Sequence, residues 1–263
     1  MLRPRTGYHL VDPSPWPIVA SIAALTLVSG ILSWVHNGAV VLELFLIAFI
    51  LLGLTMVAWW GDVIKESTYL GCHTSLVARG LRVGMALFIL SEVFFFVSFF
   101  WAFFHLSLGS LSEGGSWPPM GILPINAFGV PLLNTAVLLS SGVSVTWAHY
   151  AIRDWNRTQA IEALSITVIL GCWFTLLQAE EYHSASFTIS DGSYGSLFFV
   201  MTGFHGMHVL IGTLFLLVGL VRTIRYHFSV GHNHVGLEVA IWYWHFVDVV
   251  WVFLFIFVYW WGS

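Results

Sequence analysis

Three carboxylates stand inside apolar runs of this chain, and an ionisable group in such a run is costly enough to mark a functional position. Glu92 lies in GMALFILSEVFFFVSFFWAFFH, about ten residues or roughly 15 Å from the start of the run. Phe95, Phe96 and Phe99 follow it at helical spacing, and Phe88 and Ile89 precede it. Such surroundings favour the neutral acid. Glu92 is then either a proton-exchanging or gating carboxyl, or a protonated side chain bonded to a neighbouring helix. Asp248 follows His245 by one turn in WYWHFVDVVW, so the two can share a face and satisfy each other as a structural polar pair. Glu43 lies near the end of its run and can snorkel to the surface.

Metal and thiol chemistry receive less support. Cys72 and Cys172 are the two cysteines, one in a polar connection and one within an apolar run, so no disulfide or cysteine metal site is expected. The twelve histidines could in principle hold haem or a di-iron centre. Glu180 to His183 is a single Glu-x-x-His, His232 and His234 fall in a loop, and His205 and His208 share a face for which no second helix offers an evident complementary ligand set. The spacing predicts no converging ligand set and no metal bound by this chain.

The elements that must position these residues are membrane-spanning helices. With 58% hydrophobic and 8% charged residues, the chain lies far from a soluble composition. Seven segments reach the length of about 20 mostly apolar residues needed to cross a bilayer: 16–36, 39–60, 82–107, 129–152, 158–179, 196–221 and 238–261. The sequence predicts one integral membrane domain, with a two-helix hairpin over 16–60 and a five-helix bundle over 82–261. The connection 61–82 has room for an interfacial helix, and Gly84, Ser91 and Ser98 suggest a close-packed seam.

All nine basic residues fall at one set of alternate segment ends: Arg3 and Arg5, then Lys65, Arg79 and Arg82, then Arg153 and Arg157, then Arg222 and Arg225. Positive residues favour the untranslocated side, so the N-terminus is expected inside and the C-terminus outside. The opposite loops carry Glu113, Glu180, Glu181 and Asp191, either to receive a basic partner or simply because acidic loops do not oppose translocation. No basic tract suits nucleic acid, and the polar, Pro-rich N-terminal stretch does not read as a cleavable signal. The inside N-terminus argues against receptors and retinal proteins. The only lysine, Lys65, sits in a connection where it could not hold a retinal Schiff base. A channel, a cofactor-poor enzyme subunit and a packing subunit remain.

Ordered motifs then narrow the choice. HLVDPSPWP, SEVFFF, WPPMGI, PLLNT, TWAHY, FTISDGSYGS, TGFHGMHV, WYWHFVDVVW and YWWGS run from near the N-terminus to the end. Together they make the chain resemble the subunit 3 family of haem-copper cytochrome c oxidases, most closely its mitochondrial forms. The resemblance implies a non-redox subunit of an oxygen-reducing proton pump. Its partners would be subunits 1 and 2, which hold the haem and copper, together with other subunits of the complex. It also implies a mitochondrial inner membrane location, with the N-terminus in the matrix and the C-terminus in the intermembrane space; a bacterial plasma membrane is the alternative. Spans one and two would lean away from spans three to seven, with phospholipids held between. Glu92 matches the family's intramembrane glutamate.

Two departures from that pattern, Gly61 after the double tryptophan and Cys72 before His73, flank the expected headgroup region. Lys65, His73, Arg79 and Arg222 are expected either to supply donors for lipid phosphate, with Trp60 at the interface, or to serve only as charges that set topology.

Overall fold

A computed structural model describes residues 6–10, 12–37, 42–109, 116–228 and 234–263. Arg3, Arg5, Gly38, Glu113 and His232 lie outside the described residues. The fold is all-helical, with no strand among the described residues. The helices are α1 (Trp16–Asn37), α2 (Leu42–Thr68), α3 (Ser75–Leu108), α4 (Val130–Arg153), α5 (Arg157–Ser184), α6 (Gly192–Ile224) and α7 (Val235–Leu254), the last continued by a π-helical turn over Phe255–Trp260. Among the described residues, seven helices are long and apolar enough to cross a membrane.

Several helices outrun the predicted spans. At 34 residues, α3 rises about 50 Å, well beyond a hydrocarbon layer of roughly 30 Å. The expected interfacial helix between spans two and three is therefore absent: α2 continues through Thr68 and α3 begins at Ser75, leaving a short connection. Hydropathy marks where a helix leaves lipid, but backbone hydrogen bonding carries it onward into water. For the same reason Glu180 and Glu181, expected in an outer loop, belong to the last turns of α5.

The chain divides into two compact units, Met1–Gly80 and Leu81–Ser263. In the first, α1 packs along α2, and a Cβ added at Gly30 would come within 3.0 Å of Phe45 Cα, so glycine permits the close crossing. Trp16 Nε1 donates to Asp62 Oδ2 (2.7 Å), joining the start of α1 to the far end of α2.

In the second unit the core centres on α7, whose Trp244 and Trp251 are wholly buried. Each indole N–H finds a hydroxyl on α4: Trp244 donates to Ser141 Oγ and Trp251 to Thr135 Oγ1, both at 2.9 Å. The ring of Trp244 fits between two glycines. A Cβ would approach it to 2.8 Å at Gly171 of α5 and to 2.9 Å at Gly212 of α6. Small residues thus bring three helices against one aromatic anchor, which matters because lipid supplies no hydrophobic drive for helices to associate. Among the described residues of this unit, Gly84, Ser91 and Ser98 form no packed seam. All three are exposed, and both serine hydroxyls donate to carbonyls of their own helix, Phe88 and Phe95.

Candidate functional site

Glu92 meets a partner that its own helix does not disclose. Its Oε2 lies 2.9 Å from Nε2 of His208 on α6. The other ring nitrogen, Nδ1, lies 2.6 Å from the Phe204 carbonyl, one turn earlier on the same helix. A carbonyl oxygen only accepts, so Nδ1 carries a hydrogen. The contact between Nε2 and Oε2 then requires one proton between them, either on the carboxyl, which donates to a neutral ring, or on the ring, which donates to a carboxylate. Aromatic rings enclose the imidazole: Phe96 meets it edge-on at 5.1 Å, Tyr243 stacks at 6.2 Å, and Phe246 lies at 6.2 Å. The helix facing His208 is thus α3, through a single carboxyl. The signal was partly available, since Glu92 and His208 each lie in a largely apolar run, but their separation along the chain hides the pairing.

His205, one turn from His208, points elsewhere. Its Nε2 donates to the Val247 carbonyl at 3.2 Å, and its ring packs between Phe174 and Trp251. It acts as a tie between α6 and α7.

His245 and Asp248 make an ion-pair contact, Nδ1 to Oδ2 at 3.6 Å, longer than a hydrogen bond. His245 Nε2 instead reaches Thr146 Oγ1 at 3.3 Å. Asp248 sits against Gly142 of α4, where an added Cβ would lie 2.7 Å from Oδ2. A second buried carboxylate escaped the sequence reading. Glu181 Oε1 accepts from Tyr259 Oη (2.6 Å) and Gln178 Nε2 (3.1 Å), so the end of α5 is bonded to the last turn of the chain.

The residues assigned to lipid headgroups lie near the basic helix ends. In the first unit, Trp60 and Arg79 are exposed and Lys65 Nζ donates to Asp62 Oδ1 at 2.8 Å. His73 lies with its ring 5.4 Å from that of His9, whose Nε2 is 3.1 Å from Glu66 Oε2. In the second unit, the Arg222 guanidinium lies over Phe228 at 4.6 Å. Arg157 closes the neighbouring helix end by donating to the Thr223 and Ile224 carbonyls at 3.0 and 2.7 Å. Opposite charge at a helix C-terminus is favourable. Beyond that end, partial burial together with Arg222 and Arg225 holds the His227 imidazole below its usual range.

Among the described residues two groups of metal-ligand type converge, correcting the expectation that no histidine set does so. His9, Glu66 and His73 meet in the first unit, and His149, His234 and Glu238 in the second, each trio with its ligand atoms within 4.8 Å of one another.

Comparison with known proteins bears on the whole chain. The family model described as Cytochrome c oxidase subunit III matches residues 6–263. The protein named cytochrome c oxidase subunit 3 in Branchiostoma lanceolatum is 58% identical over 264 residues, covering 98% of this chain and 100% of the relative. Those so named in Squalus acanthias and Osphranter robustus are 59% and 57% identical over 258 residues, each covering 98% of both chains.

Proposed function

Because the chain belongs to the cytochrome c oxidase subunit III family, we propose that it serves as a core subunit of that oxidase, the respiratory complex that reduces O2 to water with electrons from cytochrome c and pumps protons. The observation that carries this reading is the family match across residues 6–263. The haem and copper centres reside in partner subunits 1 and 2, and this chain supports their work without a redox centre of its own. The membrane is the mitochondrial inner membrane, with the basic helix ends in the matrix, as the positive charges favour.

Within the complex, the Glu92 and His208 pair supplies the chain's own chemistry. One proton shared by a carboxyl and an imidazole can move between them with small displacements, and both groups tolerate either state because each supports the other. The pair acts in proton supply to the catalytic subunit and in keeping that subunit durable through turnover. The basic helix ends serve a second task. Trp60, Lys65, His73 and Arg79 on the first unit, and Arg222 on the second, hold phospholipid headgroups through charge-assisted bonds to phosphate. Bound lipid supports assembly and the access of oxygen through the apolar phase.

Purification tests the assignment. The chain should travel with subunits carrying haem and copper, and removing it should leave their optical spectra nearly unchanged while proton uptake or turnover lifetime falls. A chain that purifies alone and conducts protons in vesicles would be an autonomous channel and would overturn the reading.

A further inference from the structure

We propose that His149, His234 and Glu238 form a binding site for a divalent cation of the zinc class. The three residues come from different places: His149 from the last turns of α4, His234 from the residue before α7, and Glu238 from the first turn of α7. Their ligand atoms lie within 4.8 Å of one another, and all three side chains are half-buried. Glu238 Oε1 is already 3.0 Å from His234 Nε2.

The carboxylate is oriented from behind. Arg82 Nε on α3 donates to Glu238 Oε2 at 2.8 Å, so one oxygen is occupied and the other faces the imidazoles. Ligating carboxylates are commonly fixed in this way by an outer hydrogen bond. The arginine also brings positive charge near the cation, which weakens binding, but its direct pairing with Glu238 offsets much of that field. Glu238 is accounted for by its bonds to Arg82 and His234. Those bonds do not require a second imidazole from α4 to face the same point, and His149 supplies one.

Donor chemistry selects the cation class. Magnesium and calcium prefer six or more oxygens, whereas two imidazoles and one carboxylate oxygen suit zinc with a fourth position left for water. Tetrahedral zinc at about 2.0 to 2.2 Å from its ligands requires the donors to sit roughly 3.3 Å apart. Donors already within 4.8 Å of one another would need to close by about 1.5 Å at most to reach that spacing. A bound ion would join α4 to the start of α7, and through Arg82 to α3, at the helix ends that also carry Arg153, Arg157 and Arg222.

The proposal concerns this chain's own side chains and does not rest on the oxidase reading. Its test uses the intact purified complex that contains the chain, with zinc itself as the probe. Crystals equilibrated with about 100 µM zinc should show anomalous density at the zinc edge within about 2.2 Å of His149, His234 and Glu238. Because the map is site-resolved, zinc elsewhere in the complex, including at His9, Glu66 and His73, does not count. His149→Gln should weaken binding at this position at least about tenfold. Absence of density at that concentration in the wild type, or undiminished density in His149→Gln, overturns the proposal. Should His149→Gln fail to assemble, the wild-type map decides alone.

Discussion

Glu92 Oε2 and His208 Nε2 face each other at 2.9 Å, and the Phe204 carbonyl determines how that contact is protonated. Since the carbonyl consumes the Nδ1 hydrogen, Glu92 and His208 form a single-proton unit spanning α3 and α6. Neither residue can be changed without altering the hydrogen bonding of the other.

Coupling between the two is therefore the first expectation. Glu92→Gln should preserve assembly, since an amide keeps hydrogen-bonding capacity with no charge to bury, while shortening the oxidase's lifetime under turnover. His208→Gln should do the same, and the double variant should lose little more than either single one. A double-mutant cycle on stability would then report a coupling of about 0.5 to 3 kcal/mol. Strict additivity would show that the contact carries no energy. Infrared difference spectra should lose the same band in both single variants.

Packing around Trp244 gives a second expectation. Gly171→Val and Gly212→Val each drive side-chain atoms into an indole that a Cβ alone approaches to 2.8 and 2.9 Å. Overpacking of this kind costs roughly 1 to 3 kcal/mol. The readout is a lower temperature for release of the chain from its complex. Gly84→Val is the control: a Cβ there meets nothing within 4 Å in this chain.

Tyr259→Phe should loosen the end of the chain. Its hydroxyl donates to Glu181 at 2.6 Å, and removing it leaves a buried carboxylate with only Gln178 as donor. A loss of about 1 to 3 kcal/mol follows from removing the shorter of the two hydrogen bonds to a buried carboxyl. Glu181→Gln combined with Tyr259→Phe should recover part of the loss, because both partners of the bond have then gone and the amide keeps its own hydrogen-bonding capacity. Faster hydrogen exchange in the Phe255–Trp260 turn would locate the effect.

Topology can be measured by labelling single introduced cysteines with an impermeant reagent. One at Ser186, between α5 and α6, should react from the intermembrane side. One at exposed Asp154, between Arg153 and Arg157, should react from the matrix side. The reverse pattern would invert the orientation drawn from the positive charges.

Much of this protein was legible in one dimension. Span number, span order and the grouping of basic residues at alternate ends follow from local composition, because a bilayer imposes a minimum apolar length and a charge asymmetry on every crossing. Glu92 could also be singled out, since a carboxyl among phenylalanines is costly wherever the helix packs. What the sequence did not determine was pairing. His208 as the partner of Glu92, Tyr259 as the donor to Glu181, and His149 facing His234 and Glu238 each join residues on different helices. Residues four apart on one helix meet by geometry, whereas residues on two helices meet only through the rotation and depth at which those helices pack. Those are decided by contacts such as Trp244 seated between Gly171 and Gly212. His245 and Asp248, neighbours by helical spacing, do approach as an ion-pair contact at 3.6 Å, whereas only packing decides that His245 also reaches Thr146 on α4 and that Asp248 lies against Gly142 of the same helix.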